Sequence, residues 1–386
     1  MLDGVHIPLT ERPTVFGGPK NTWEQLVRDF KLLYNICGKI RKNRFQHGSV
    51  RIDKHKMRFK FDDVDMPRSY AFESHSPSHW MIEELMLLAN QVVAKKICEL
   101  GGSAVLRRHP PPDAKSFKEL SERIRTKLEV AEWDGSSSRG LFESLKLVKA
   151  RLGVKIGQLI EFLVMKTMKP AQYCTLESGF SHHYALAFDF YTHFASPIRR
   201  YPDILVHRQL QTALELNALE LEITPSQAEV SSVEAQCNLC NVLKKKSREV
   251  QEKCDVAFFC IYLRNRKEMD LSTCTVMSVT DKCINVYVPK LNKDCPIWFK
   301  LTSKVPDSFL ANDDAKRAEL EAVVRGPDSF TFVSESEALV HWSADVDPVK
   351  ISQYDKVAIA ILPLDTVPIS FATLLLPPHY KVDEES

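Results

Sequence analysis

Through the first two-thirds of the chain, apolar residues recur at steps of three and four, the period of helices that bury one face. Leu26, Phe30, Leu33, Cys37 and Ile40 form the first such stripe. The helix is predicted to start at Thr22 as N-cap, with Gln25 completing a capping box. Its end is basic (Lys39, Arg41, Lys42, Arg44), which suits the negative pole of the helix dipole and offers a face to an anion. Between Val50 and Phe61 the period drops to two, with Arg51, Lys54, Lys56, Arg58 and Lys60 alternating with less polar positions around His55. A hairpin with one positive face is expected, as a solvated strand or as the wall of a channel for a polyanion.

The segment from about Trp80 to Leu100 is apolar on nearly every side and stops at Gly101-Gly102, so a buried helix is expected. Glu83, Glu84 and Asn90 within it then need polar partners inside the fold. Leu106 to Pro112 must be extended because of its three prolines, and Ser116 with Glu119 reads as the capping box of the next helix. A loop over Asp134–Gly140 and helices over about Leu141–Leu152 and Ile156–Lys166 follow. Thr224-Pro225-Ser226-Gln227 opens a long helix to about Leu263. Its seam of Val230, Val233, Cys237 and Cys240 slips at Lys244-Lys245-Lys246, a positive stretch that is either solvated or in contact with a polyanion backbone.

From about Asp270 the period changes again. Cys283–Pro289, Ile297–Leu301, Glu319–Val324 and Val357–Leu362 read as short strands between Asp, Pro and Gly turns, with one helical piece at Asn312–Leu320. Five or so strands of this kind predict a small β-barrel of the OB type. The expected class is α+β: a helix-rich part over residues 1–268, the barrel over 269–378 and a tail over 379–386.

Composition adds boundaries rather than identity. A length of 386 residues, 44% hydrophobic and 26% charged, accommodates two or three globular domains. A net charge of +2 creates no global field, so a polyanion would have to be held by a local basic channel. No basic flank precedes an apolar run at the N-terminus, and no apolar stretch approaches the roughly 18 residues of a membrane span. The ten cysteines are scattered, which points to reduced thiols and a cytoplasmic setting. Cys237 and Cys240 form a lone C-x-x-C without a second pair, better suited to a helix seam than to zinc.

The most chemically loaded stretch is Tyr191–Leu210, YTHFASPIRRYPDILVHRQL. Ser196-Pro197-Ile198-Arg199-Arg200 places two guanidiniums just before a helix that opens near Pro202 and Asp203. An arginine fork can bind a phosphate through two parallel hydrogen bonds. The plainer alternative is a bridge to a carboxylate, for which Arg200 is the better candidate. His207, inside the helix, reads as a satisfied structural histidine.

Together with His183-Tyr184-Ala185-Leu186, this stretch resembles the signature of the RNB (ribonuclease II/ribonuclease R) exoribonucleases, with Ala195 where threonine is usual. Other blocks match in order: Ile82–Asn90 (IEELMLLAN), Leu106–Pro112 (LRRHPPP), and Cys237-Asn238 with the lysines that follow. The tri-proline is similar to the eukaryotic cytoplasmic branch, the Dis-three-like exonuclease two type. The resemblance spans about residues 20–375 and implies the C-terminal portion of an RNB catalytic domain followed by an OB domain.

It further implies hydrolytic, processive 3′-to-5′ degradation of single-stranded RNA to nucleoside monophosphates with two divalent metals, usually Mg²⁺. Arg199 stands where the family's catalytic arginine is found. Ser196, Arg200, Tyr191, His193, His183, Lys244, Lys245 and Arg107 are the expected RNA contacts. The family's metal-binding segment, D-x₆-D-x-D-D, has no counterpart here, and Asp62-Asp63-Val64-Asp65 lacks its leading aspartate. No metal ligand is therefore assigned, and the chain is expected to begin partway through the RNB domain and to be inactive alone. The alternatives are a catalytically dead RNA-binding module and a non-functional fragment. No membrane or obligate protein partner is indicated.

Overall fold

The computed structural model describes residues 23–52, 57–73, 76–101, 104–221, 225–267, 269–299, 321, 323–343, 346–378 and 380. In chain order the first elements are α1 (Trp23–Gln46), β1 (Met57–Phe61), β2 (Pro67–Phe72), α2 (Pro77–Glu99), β3 (Val105–Arg108), α3 (Ala114–Lys127), α4 (Ser138–Leu152), α5 (Val154–Thr167) and β4 (Gln172–Thr175). There follow α6 (Tyr201–Ala218), α7 (Gln227–Arg266), β5 (Asp270–Val279), β6 (Cys283–Val288), β7 (Lys293–Trp298), β8 (Ser329–Ser334), β9 (Glu337–His341), β10 (Val349–Ser352), β11 (Lys356–Leu364) and β12 (Ser370–Leu375). Thr22, Lys54, His55, Lys56, Thr224, Leu301 and the expected helical piece at Asn312–Leu320 lie outside the described residues.

Two compact units divide the chain discontinuously. The first takes the described parts of Met1–Arg51, Ser74–Ser144 and Thr167–Leu243. The second takes those of Ile52–Glu73, Leu145–Lys166 and Lys244–Ser386.

In the first unit, β3 and β4 pair antiparallel, with Leu106 opposite Cys174 and Arg107 opposite Tyr173. Ala94 and Ile97 of α2, Leu205 and Val206 of α6 and Cys237 of α7 close over this ribbon as one buried cluster. Cys237 is thus core, as its place in the helix seam required, and burial pushes its thiol up to about 12.

Three local expectations need correction here. On α1 only Cys37 of the expected stripe is fully buried, and Phe30 is 53% exposed. Helix α2 is not enclosed on all sides: Ile82, Leu88 and Val92 are exposed, and Met81, Glu84, Leu87, Asn90, Ala94 and Ile97 form a single buried stripe. Apolar composition overstated its burial, because the period of the stripe, not the mean hydropathy, sets which side faces the core. Helix α3 starts at Ala114 with Asp113 as cap, whose carboxylate accepts from the Ser116 amide at 3.2 Å and hydroxyl at 2.9 Å. An aspartate directly after the proline run caps earlier than the serine does.

The second unit is built on a closed barrel of order β11-β12-β7-β6-β5. All its pairs are antiparallel except β12 with β7, which run parallel at Thr373 and Ile297. Val276, Ile284, Val286, Ile297, Ile359, Ile361 and Leu374 fill it, joined by Phe259 and Leu263 of α7. The β1–β2 hairpin lays Met57, Phe59 and Tyr70 against that core and leaves Arg58 outward, paired with Glu73 at 3.0 Å. A separate three-stranded meander has the order β10-β9-β8. The described part of the expected Glu319–Val324 strand is helical instead. Outside the hairpin, five strands of this unit (β5, β8, β9, β10 and β12) have no counterpart among the expected strands.

Candidate functional site

The Tyr191–Arg200 segment has almost no secondary structure of its own, so side chains from the surrounding elements place it. It turns sharply at Ser196, whose carbonyl accepts from the amides of Arg199 (3.3 Å) and Arg200 (3.2 Å). Pro197 presets that turn, and α6 follows with Pro202 in its first turn. Arg199 emerges on the exposed side, its Nη2 only 3.4 Å from the Ser196 hydroxyl. Among the described residues no carboxylate pairs with it.

The neighbouring guanidinium is committed differently. Arg200 donates from Nη2 to Asp203 Oδ1 at 2.6 Å, and Asp203 is fully buried. This is the carboxylate bridge weighed for it in sequence. Two arginines side by side thus have opposite fates: one is neutralised, and the other has no carboxylate among the described residues.

Behind the loop lies a packed group of rings. Tyr191 meets His183 at 5.3 Å and His193 at 5.7 Å, both edge to face. The Tyr173 hydroxyl lies 2.7 Å from His193 Nδ1, and the Tyr191 hydroxyl accepts from Asn90 Nδ2 at 3.1 Å. Arg107 stacks over Tyr173 at 4.8 Å, and its backbone amide donates to the Tyr191 carbonyl at 2.7 Å. Burial pushes the Tyr191 and Tyr173 hydroxyls up and holds His109 below its usual range. His183 is driven to about 3, by burial first and then by the fields of His109 and Arg107. At neutral pH this histidine is therefore uncharged. Its Nδ1 accepts from the Leu186 amide at 3.3 Å, which places the ring proton on Nε2. Burial also lowers Arg107, whose Nη1 is buried with no hydrogen-bond partner among the described residues.

Seven of the nine residues expected at a site are brought together: Arg199, Ser196, Arg200, Tyr191, His193, His183 and Arg107. Lys244 and Lys245 belong to the second unit, on an exposed stretch of α7, where Lys245 lies 3.9 Å from Glu249. His207 is engaged as a structural residue, with Nε2 2.9 Å from the Phe194 carbonyl and its ring stacked on Phe194 at 4.1 Å. Sequence reasoning did not assign Asn90, Asp203 or Tyr173 to the site. Asn90 carried a signal, since an amide in an apolar helix must find partners.

A metal does not fit the described residues. Among them no three of His, Cys, Asp and Glu converge as ligands. Asp62 serves its own turn, accepting from the amides of Val64 (3.1 Å) and Met66 (2.8 Å), and Asp203 is held by Arg200.

Comparison with known proteins places these features in context. The sequence model described as the RNB domain matches residues 11–216. DIS3-like exonuclease 2 of Caenorhabditis elegans is 34% identical over 331 residues, which is 81% of this chain and 37% of that protein. The first curated relatives are covered over only 32% to 39% of their own lengths. In fold, the chain is similar to Mycoplasma genitalium RNase R in complex with ribose methylated single-stranded RNA. The TM-score is 0.70 at 19% identity, covering 93% of this chain and 51% of that one. It is also similar to yeast Ssd1, a pseudonuclease, with a TM-score of 0.65 at 16% identity over 95% of this chain and 52% of the other.

Proposed function

The chain belongs to the RNB-domain family, and from that premise we propose that it forms part of a 3′-to-5′ exoribonuclease acting on single-stranded RNA. The observation that carries this reading is the asymmetry of the two arginines. Arg200 is matched by a buried carboxylate, whereas Arg199 is exposed, preset by a proline turn and, among the described residues, without a carboxylate partner. A free guanidinium held on a turned backbone suits a phosphodiester, and one that meets charge developing at the scissile phosphate accelerates its hydrolysis. Ser196, beside Arg199, is placed to share the same phosphate. Tyr191, His193, His183 and Arg107 then form the wall behind it. Lys244 and Lys245, in the second unit, are proposed as RNA-backbone contacts of that unit.

The barrel supports the same reading. Its first three strands form a meander, and its last strand inserts between the third and fourth with a parallel pairing, a Greek-key order of the OB type. OB barrels hold single strands by stacking and charge. On this reading residues 269–378 are an RNA-binding domain following the RNB portion.

The reaction of the family is expected to use Mg²⁺, which would activate water and neutralise phosphate charge. The described residues do not offer its ligands, so no step is assigned to it here. That same observation favours a second reading, an RNA-binding module without catalysis, in keeping with a fold neighbour that is a pseudonuclease. A cytoplasmic setting is proposed from ten free cysteines. No helix among the described residues is long and apolar enough to cross a membrane.

A 5′-labelled single-stranded oligoribonucleotide incubated with the 386-residue chain separates these readings. Stepwise shortening from the 3′ end in Mg²⁺ decides for the enzyme. Binding that survives EDTA without shortening decides for the module. Absence of both overturns RNA handling by this chain.

A further inference from the structure

The loop that carries Arg199 owes its shape to two buried side chains outside it. Asn90, on α2 and 3% exposed, accepts through Oδ1 from the amides of Phe194 at 2.9 Å and Ala195 at 3.0 Å. Its Nδ2 donates to the Tyr191 hydroxyl at 3.1 Å, which fixes which end of the amide faces the loop. Asp203, in the first turn of α6 with no exposed surface, accepts through Oδ1 from the next amide, that of Ser196, at 2.8 Å. The same oxygen takes the 2.6 Å bond from Arg200. Three successive amides of a segment without helix or strand pairing are thus all held by side chains. Unpaired, each would be a partly buried donor without a protein acceptor.

We propose, on the reading of Arg199 as a phosphate contact, that Asn90 and Asp203 are positioning residues for it. The two side chains act through the backbone and touch no substrate. Asn90 sets the approach of the chain from Phe194, and Asp203 sets the turn at Ser196 from which Arg199 projects. Arg200 completes the device by matching the charge of Asp203, so that the carboxylate anchors the loop without drawing Arg199 back onto the protein. A long, rotamer-rich side chain contributes to recognition in proportion to how well its root is placed beforehand.

A double-mutant cycle on binding of a single-stranded oligoribonucleotide in EDTA tests this with the full chain. In the wild-type background, Arg199→Ala is expected to weaken binding by about three- to tenfold and to lower the slope of log affinity against log salt by about one. In the Asn90→Leu or Asp203→Asn background, the same substitution should change affinity by less than about twofold, because a contact that is no longer presented cannot be lost. A purely structural pair would lower the melting temperature yet leave the full Arg199 decrement in place, and that result overturns the positioning role while sparing the phosphate contact. No effect of Arg199→Ala in the wild-type chain overturns the phosphate contact, and the positioning role with it. Should either background fail to fold, amide hydrogen exchange in the wild-type chain decides. Slow exchange at Phe194, Ala195 and Ser196 is expected, and free exchange there overturns the proposal.

Discussion

Glu84 shows at the level of a single residue what burial demands of a charge. It has no exposed surface, and it receives Arg44 Nε at 3.0 Å and Arg41 Nη1 at 3.1 Å, both from α1. Removing it strands Arg44, whose side chain is 7% exposed, whereas Arg41 at 21% can turn to solvent. Glu84→Leu is therefore expected to lower the unfolding free energy by about 3–5 kcal/mol in urea titrations, and adding Arg44→Met should recover most of that loss. His183 supplies a pH-dependent counterpart. Unfolded, it takes up a proton near 6.5; folded, it does so only at about 3. The unfolded chain therefore binds the extra proton between those values, and stability must fall as pH drops through that window. Between pH 6.5 and 4.5 the wild type should lose about 2 kcal/mol more than His183→Asn, which keeps an acceptor for the Leu186 amide but does not titrate. Equal losses in both chains would show that His183 titrates normally in the fold.

Among the elements, α1 illustrates how a helix is stopped and what the stop positions. The amide of Gly48 donates to the Phe45 carbonyl at 3.1 Å and that of Ser49 to the Arg44 carbonyl at 3.2 Å, the paired bonds of a Schellman ending. Gly48 sits at φ +98°, and an added Cβ would lie 2.9 Å from Ser138 Oγ and 3.0 Å from the Arg139 amide nitrogen. Gly48→Ala should accordingly cost about 1–3 kcal/mol, from backbone strain alone before any contact with the start of α4 is counted. A melting temperature unchanged by this substitution would exclude the strained turn. Helices were the more legible elements because their stripes and caps are local in sequence. Even so, Asp113 displaced the expected cap of α3, and the exposed side of α2 was hidden by its uniformly apolar composition.

For the molecule as a whole, thiol chemistry offers a compact test of the fold. All ten cysteines are free, and only Cys254 is exposed, with Cys98 and Cys240 half-buried. Burial pushes Cys98 and Cys260 up to about 11 and Cys295 up to about 12, which suppresses the reactive thiolate. Native protein should thus show one rapidly reacting thiol with a disulfide reagent against ten in denaturant, and its melting temperature should not depend on reductant. The same global view explains what remained hidden in the barrel. Its closure through β7 and β12 joins Ile297 to Thr373 across long sequence separation, so no local pattern announces it.

By itself the sequence determined most of the helices, the change to a strand-rich part after about Asp270, the family, and the identity of the loop around Arg199, because all of these are written in local spacing and residue type. It also required partners for Glu84 and Asn90, since a polar group in an apolar helix must be satisfied somewhere. Which partners those are was decided only by the tertiary structure. Charge and hydrogen bonding act through space: Arg41 and Arg44 lie about forty positions from Glu84 in the chain, and the loop held by Asn90 lies about a hundred away. Arg199 and Arg200 are indistinguishable by composition, and the buried carboxylate of Asp203 ties one into the fold while the other stays exposed.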